Sequence, residues 1–477
     1  FVLDSSVASG DTMLSVAEKN NWHWGANARP QTFDWSNIEV ENAATWGTGA
    51  GVEKRVILYK GDPAHAGLTL NNYSITSTMH TAGDFEYGLS TDTTTPTAST
   101  VSATQIYFDR NRFQNGNEEI TSAGTGIRYA GTSTMGNTTT KNKLKLFGTF
   151  TWPNDVMGGY TQSQVGDSTY NELILANGAV LGNNVEGYGG WSANGAATHN
   201  TVTLDGAGSM YSLAYLSGGR SGNPSADVTT GNTLQIKQKN NSVYSISNFE
   251  KMRFVLDSSV ASGDTMLSVA EQNYWHWGAV LRPQTFDWSN VSVKGLRAWA
   301  TALAENNVNT PTLTLYSGVG APLTLNHYAP TIVGTRGDYE FGKRANGALS
   351  GTTMTGASIL TLDGNRFQNA VKTPTANAAD IHAGISVYGN TTNHNTLNLK
   401  DNAGTPLSFT NARAGYTNAQ SGGSDFNTLN LLSGGSVTNG YAGYTEGVHL
   451  LVNPEDEDHP ELVDTTKNAD AKNNTVN

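Results

Sequence analysis

Two aromatic clusters are the first residues in this chain whose types and spacing could do chemistry. Trp22-His23-Trp24-Gly25 recurs as Trp275-His276-Trp277-Gly278, and Phe33-Asp34-Trp35 recurs as Phe286-Asp287-Trp288. In an extended strand alternate side chains share a face, so the two Trp of each WHW form a paired indole surface with the His on the other side. Such a surface can stack on sugar rings, which makes Trp22, Trp24, Trp35, Trp275, Trp277 and Trp288 candidate ligand contacts. The competing role is to plug the junction between the aromatic block and the strands that follow. That role is favoured, because large aromatics usually fill cores and caps. Arg336-Gly337-Asp338 spells the tripeptide of integrin recognition and is a second candidate contact. Its counterpart earlier in the chain is Ala82-Gly83-Asp84, so Gly-Asp belongs to a repeated frame and Arg336 is one variable residue within it. A chance match is the better reading of so short a motif.

Other chemistry finds little purchase. The acidic run Glu455 to Glu461 (EDEDHPE) has no turn glycine and no alternating ligand set, and reads as a solvated loop insertion rather than a cation site. Polysaccharide hydrolases need a cluster of carboxylates, and lyases an acidic set with a Lys or Arg base. The chain has no Asp-Asp pair, no Gly-x-Ser-x-Gly and no His-Glu-x-x-His. Gly166-Asp167-Ser168-Thr169 is only a fragment of a hydrolase motif. The expectation is a protein that is not an enzyme and that uses no cofactor and no metal.

Composition narrows the partners. Net charge is −12, which repels phosphate backbones and anionic lipid, so neither nucleic acid nor a membrane surface is expected to bind. Charged residues make up 14% of the 477 positions, against roughly a quarter in ordinary soluble domains, and Asn, Thr, Ser and Gly fill the deficit. The chain nevertheless keeps 10 Trp, 19 Tyr and 14 Phe, too many for a disordered polymer. With no cysteine, stability must come from backbone hydrogen bonds and packing. No run of 18 apolar residues occurs, so no membrane insertion is expected in this segment.

What positions these residues is a tandem repeat. Phe1 to Asn37 is written again as Phe254 to Asn290 with four differences, which sets a repeat of 253 residues. Beyond it the two copies keep punctuation rather than identity: RVILYKG (Arg55 to Gly61) answers to TLTLYSG, LTLNNY to LTLNHY, GDFEYG (Gly83 to Gly88) to GDYEFG, and FDRNRFQN (Phe108 to Asn115) to LDGNRFQN. A finer period follows. Asn-led strands begin at Asn142, Asn171, Asn200 and Asn232, and again at Asn395, Asn427 and Asn474, with Gly-Tyr or Gly-Gly segments between them. Three short strands per 29 to 32 residues is the pattern of one rung of a parallel β-solenoid. In such a rung the Asn side chains can hydrogen-bond up and down a ladder. Val202 and Leu204, or Leu397 and Leu399, would point inward, while the Thr and Asn between them face water. One helix is expected, over Ala298 to Asn307.

Asn248 to Val269 (NFEKMRFVLDSSVASGDTMLSV), with the recurrent NTVTL and NTLNL strands and the Gly-Gly-Tyr segments, resembles the passenger region of large autotransporter (type V secreted) surface proteins of anaerobic Gram-negative bacteria. The resemblance implies an all-β fold, a right-handed parallel β-solenoid (β-helix), displayed outside the outer membrane on the bacterial cell surface. It implies an adhesin-like role. The division expected is copy one over 1–253, with a marker block and irregular β region at 1–141 and regular rungs at 142–253. Copy two occupies 254–477, with its marker block at 254–394 and rungs with an acidic insertion at 395–477. Phe1 and Asn477 both fall in mid-repeat, so the chain is expected to be a window of a longer polypeptide. The expected function is a non-enzymatic structural or adhesive repeat protein, a stalk or fibre of stacked copies. Its partners would be further copies of itself along the fibre axis and surface glycans or proteins. A β-helix polysaccharide-active enzyme or a glycan-binding module is the alternative.

Overall fold

The computed structural model describes residues 1–17, 31–46, 51–63, 67–74, 78–93, 98–271, 284–418, 422–446 and 471–477. The fold is a parallel β-solenoid of about 11 turns. Two compact units divide the chain: Phe1–Leu234 with Ile246–Glu250, and Gln235–Ser245 with Lys251–Asn477.

In the first unit the regular rungs follow from alternation. Strands Asn117–Ile120, Lys143–Phe147, Glu172–Ala176 and Thr201–Asp205 pair in parallel, so that Leu144, Leu173 and Val202 stack in one row and Leu146, Leu175 and Leu204 in the next. All six are fully buried. Each contributes about 1.5–3 kcal/mol by leaving water. A second parallel sheet holds Arg128–Ser133, Val156–Thr161, Glu186–Ser192 and Ser209–Ser221. Two-residue strands such as Ser168–Thr169 and Val180–Leu181 complete the rung. The second unit repeats the plan, with Val371–Lys372, Thr396–Leu399, Thr428–Leu431 and Thr475–Val476 in one sheet, and Ala378–Ser386, Leu407–Thr417 and Gly435–Thr445 in the other. Leu397, Leu399 and Leu429 form its core with Phe409.

Not every residue between the core positions faces water, as alternation alone suggests. Thr203 is fully buried. Its hydroxyl donates to Glu172 Oε1 at 2.9 Å, which satisfies it away from solvent.

Ahead of the rungs in each unit the pairing is partly antiparallel. Glu53–Gly61 and Phe85–Thr91 both pair antiparallel with Gln105–Arg112, while Thr12–Val16 joins Glu53–Gly61 in parallel. In the second unit Thr312–Ser317 and Tyr339–Ala345 do the same around Ile359–Arg366, and Thr265–Val269 joins in parallel. The expected helix is present as Leu296–Glu305, with Leu296, Trp299, Ala300 and Leu303 buried.

A single buried carboxylate ties each antiparallel module to the rungs beside it. Glu86 accepts hydrogen bonds from Ser133 Oγ (2.7 Å), the Thr134 amide (2.8 Å), Asn137 Nδ2 (2.8 Å) and Asn111 Nδ2 (3.0 Å). Glu340, its counterpart, accepts from Ser386 Oγ (2.9 Å), the Val387 amide (2.6 Å), Asn390 Nδ2 (2.7 Å) and Asn365 Nδ2 (3.3 Å). A charge out of water persists only when so fully satisfied.

Candidate functional site

The most regular polar structure in the chain is the asparagine ladder, and it decides where functional side chains can stand. The Oδ1 of each ladder Asn accepts the backbone N–H of the residue at the same corner one rung earlier: Asn142 from Gly116 (2.8 Å), Asn171 from Asn142 (3.1 Å), Asn200 from Asn171 (2.9 Å) and Asn232 from Asn200 (2.8 Å). In the second unit Ala370, Asn395 and Asn427 donate to Asn395, Asn427 and Asn474 in turn. Asn474 takes its place although 47 residues separate it from Asn427. The side-chain amides donate to backbone carbonyls such as Phe113 O, Thr139 O and Ser168 O. Both groups of the amide are thus paired in the interior at Asn142, Asn171, Asn200, Asn395 and Asn427, which are buried.

The residue before each ladder Asn turns a corner in the left-handed region. Lys141, Tyr170 and His199 have φ of 55°, 57° and 58°, and His394, Phe426 and Asn473 have 53°, 54° and 54°. For a residue with a Cβ this conformation costs about 1–2 kcal/mol, least for Asn.

The Gly-Tyr and Gly-Gly segments are not the turns between strands that their composition suggests; they lie inside strands and bend them. An added Cβ would fall 2.2 Å from the Asn142 amide at Gly131, 2.5 Å from Asn171 at Gly159 and 2.7 Å from Asn200 at Gly190. At Gly384 and Gly415 the same clash arises with Asn395 and Asn427. The ladder occupies the volume of the missing side chain, which is why these positions are glycine. The bend brings together side chains three residues apart, which in a straight strand would point to opposite faces. Arg413 lies 4.7 Å from the ring centre of Tyr416, and Tyr441 and Tyr444 have ring centres 4.8 Å apart.

Along the bends, aromatic files form across successive rungs, in register at Tyr160–Trp191 and Tyr416–Tyr444 and offset by three residues at Tyr129–Tyr160 and His382–Tyr416. Tyr129, Tyr160 and Trp191 follow one another at ring-centre distances of 5.4 and 4.8 Å. In the second unit His382, Tyr416 and Tyr444 do so at 5.9 Å for each step, with the Arg413 guanidinium over both tyrosines. These rings are half-buried against one another rather than freely exposed.

Charge gathers on the same face. Arg220 pairs with Glu186 Oε2 at 2.5 Å and also touches Tyr188 Oη, and Asp155 Oδ1 accepts the Glu186 amide at 2.9 Å. Burial pushes the Glu186 carboxyl up to about 7 in spite of Arg220, with the neighbouring Asp155 adding to the rise. Asp155 is itself raised by burial. In the second unit burial, with Lys372 and Arg413 nearby, lowers the His382 imidazole to about 4. Chemically, Glu186 with Asp155 and Arg220 is a carboxylate pair beside a guanidinium cation. Its shifted acid is suited to proton transfer, but it lies under the side chains that partner it. Two polar cavities flank Glu53: one of about 240 Å³ beside Glu118, Arg128 and Tyr129, and one of about 310 Å³ beside Arg55, Asp109 and Asn111. No group of three or more acidic or His side chains placed to hold a metal ion occurs among the described residues.

The aromatic contacts expected from sequence fall in two places. Trp35 is buried, edge to face with Tyr73 at 4.8 Å, and Trp288 is buried with Nε1 donating to Thr331 Oγ1 at 2.8 Å and Lys343 Nζ 4.7 Å from its ring centre. Both serve packing in this structure. Trp22, Trp24, Trp275 and Trp277, and the acidic run 455–461, lie outside the described residues. Arg336, Gly337 and Asp338 form the tip of the hairpin between Thr331–Arg336 and Tyr339–Ala345. Arg366 Nη2, Gln368 Nε2 and Asn369 Nδ2 reach the Asp338 carboxylate at 3.3, 3.2 and 2.9 Å. Asp84 accepts from Asn115 in the same way at 2.8 Å. The Gly-Asp frame therefore tethers the hairpin to the FQN segment in both copies. Three features escaped the sequence reading: the bend files, the Glu186 cluster and the two buried glutamates. The last had a visible signal, since Glu86 and Glu340 stay constant between aromatics that exchange places.

Comparison with known proteins yields no match: no family model, no curated protein and no solved structure matches this chain.

Proposed function

We propose that this structural repeat protein is displayed on a bacterial cell surface as an adhesive stalk or fibre, in the manner of an autotransporter passenger, and that it works without catalysis. The observation that carries this reading is how the repeated residues are spent. The Asn, Gly and hydroxyl positions that recur from rung to rung are consumed inside the scaffold, as in the Thr139–Ser168 contact at 2.9 Å. Positions flanking the bends vary instead: Tyr160, Trp191 and Arg220 stand in one register, and His382, Arg413 and Tyr441 in another. A constant frame with variable outward residues is the economy of a binding scaffold. Immunogold labelling of intact cells, with an adherence assay comparing producing and non-producing strains, tests it. Protein confined to the cytoplasm, or adherence that does not depend on it, overturns it. The tandem repeat further supports end-to-end stacking of copies along a fibre axis, which negative-stain images of the purified chain would show as coaxial particles.

A polysaccharide-active enzyme is the second reading, favoured by the carboxylates Asp155 and Glu186 beside Arg220. It predicts release of reducing or unsaturated ends from a polysaccharide panel, abolished by Glu186→Gln. Turnover with that dependence would replace the non-catalytic reading.

A further inference from the structure

One strand sequence stands twice in the chain with opposite surroundings. Thr12–Val16 and Thr265–Val269 both read TMLSV. Thr265–Val269 lies between two parallel neighbours: Asn241, Ser242 and Val243 pair with Leu267, Ser268 and Val269 on one side, and Thr312–Ser317 pairs on the other. Thr12–Val16 pairs with Glu53–Gly61, and its other edge meets no strand among the described residues. Met13 and Leu14 are accordingly 37% and 46% exposed, whereas Met266 and Leu267 are fully buried. Phe1 and Phe33 change in the same way, at 38% and 45% exposed against buried Phe254 and Phe286. The residues are identical, so the difference lies in the cover.

The open edge is already set in the conformation its counterpart has when covered. The Gly10 N–H donates to Arg55 O and the Gly263 N–H to Thr312 O, each at 2.7 Å. Asp11 O accepts the Ile57 N–H at 2.8 Å, and Asp264 O the Thr314 N–H at 3.0 Å. The two carboxylates also match, Asp11 Oδ2 accepting the Ala8 N–H at 2.7 Å and Asp264 Oδ2 that of Ala261 at 2.6 Å. A strand edge held ready in this way takes up a further strand at little ordering cost to itself.

In copy two the covering segment reaches this frame through four polar contacts. The Asn240 N–H donates to Thr265 O at 2.8 Å, and the Ala270 N–H donates to Val243 O at 3.1 Å. Asn241 Nδ2 donates to Met266 O at 3.4 Å, and Lys239 Nζ to Asp264 Oδ2 at 2.8 Å. Copy one carries the counterpart of every group contacted: Thr12 O, the Ala17 N–H, Met13 O and the Asp11 carboxylate.

We propose that the open edge of Thr12–Val16 is a docking site for the segment Gln235–Ser245 of a further copy of the repeat, which enters as a parallel strand with its Lys239 on Asp11, its Asn241 on Met13 O and its Val243 opposite Val16. The chain itself names the occupant. A strand of the same sequence is covered by this segment in copy two, and the same backbone, carboxylate and apolar side chains wait in copy one. The proposal rests on the stacking of copies along a fibre axis and gives that stacking its surface; it is independent of adhesion.

The probe is a synthetic peptide copying Gln235–Ser245, added to the whole chain, with hydrogen exchange read on fragments that Lys19 marks as copy one and Gln272 as copy two. Because a free peptide loses its own conformational freedom on docking, the segment is also supplied in cis, by a copy of Gln235–Arg253 placed ahead of Phe1. The expected result is exchange at Thr12–Val16 slowed about tenfold or more by at least one of the two forms, with Thr265–Val269 unchanged. Asp11→Lys should weaken that protection about threefold or more, and Lys239→Asp in the added segment should restore it. Protection by neither form, equal protection by a segment of scrambled sequence, or no response to the charge exchange overturns the proposal. Negative-stain images separate it from the reading it rests on. Coaxial copies without protection at Thr12–Val16 leave stacking in place through another surface, whereas copies lying side by side remove the stacking and the proposal with it.

Discussion

At the scale of single residues, the ladder and the bends are one device, because the carboxamide of each Asn fills the space that a Cβ on the facing glycine would need. Gly190→Ala would press a methyl to within 2.7 Å of Asn200 Nδ2 and Ser168 Oγ, both buried. The expected loss is about 2–3 kcal/mol, read from urea denaturation midpoints at unchanged m. Asn200→Ala opens the other side of the same contact. It strands the Asn171 amide, which donates to Asn200 Oδ1 at 2.9 Å, and should cost at least about 2 kcal/mol. Glu186 makes a prediction in pH. Its folded pKa of about 7 lies above the unfolded value of 4.5, so the stability it contributes as a neutral acid is complete below 4.5 and is lost as pH rises through 7. Parent stability should therefore fall relative to Glu186→Gln across that window, and a constant difference between the two would contradict the burial assigned here. His382 runs the other way. Held neutral with a pKa near 4 against an ordinary 6.5, it favours the fold above 6.5 and ceases to do so as pH falls through 4.

At the scale of elements, the junction between hairpins and rungs depends on one carboxylate in each copy. Glu340→Ala leaves the buried Ser386 hydroxyl and the half-buried Val387 amide and Asn390 amide group without their acceptor. A loss of about 3 kcal/mol or more is expected, with fast proteolysis of the Ala378–Ser386 strand as its signature. Within the rungs, Leu204→Asp puts a charge among fully buried leucines with no partner, at a cost of several kcal/mol, about 4 or more. Native-like protease resistance in that variant would contradict the inward row.

At the scale of the whole molecule, a solenoid lacks the long-range cross-links of a globular core, and each rung depends on its neighbours alone. A lesion should therefore stay local. In the Gly190→Ala protein, hydrogen exchange is expected to accelerate in Val156–Thr161, Glu186–Ser192 and Ser209–Ser221, which pair in series around the lesion. Strands Leu407–Thr417 and Gly435–Thr445 should keep the parent rate. A uniform increase across both sets would mean that the chain unfolds as a single cooperative body.

Periodicity carried much of this architecture in the open. The rung spacing of 29 to 32 residues, the Asn that opens each leading strand, the inward Val202, Leu204, Leu397 and Leu399, and the helix near Ala298 all depend on local pattern, which a sequence displays. The 47-residue interval before Asn474 shows how strongly an Asn and its apolar neighbours mark their place. What tertiary structure alone decided are the features set by a residue on another rung. Whether Gly158-Gly159 is a turn or a bent strand depends on Asn171 lying against it, and whether Thr203 meets water depends on Glu172. The Gly-Asp of the RGD tripeptide looks like a loop motif until Asn369 is seen to hold it. The stacking of Tyr170 on His199 was hidden for the same reason, since the two lie 29 residues apart and become neighbours only when their corners fall on successive rungs.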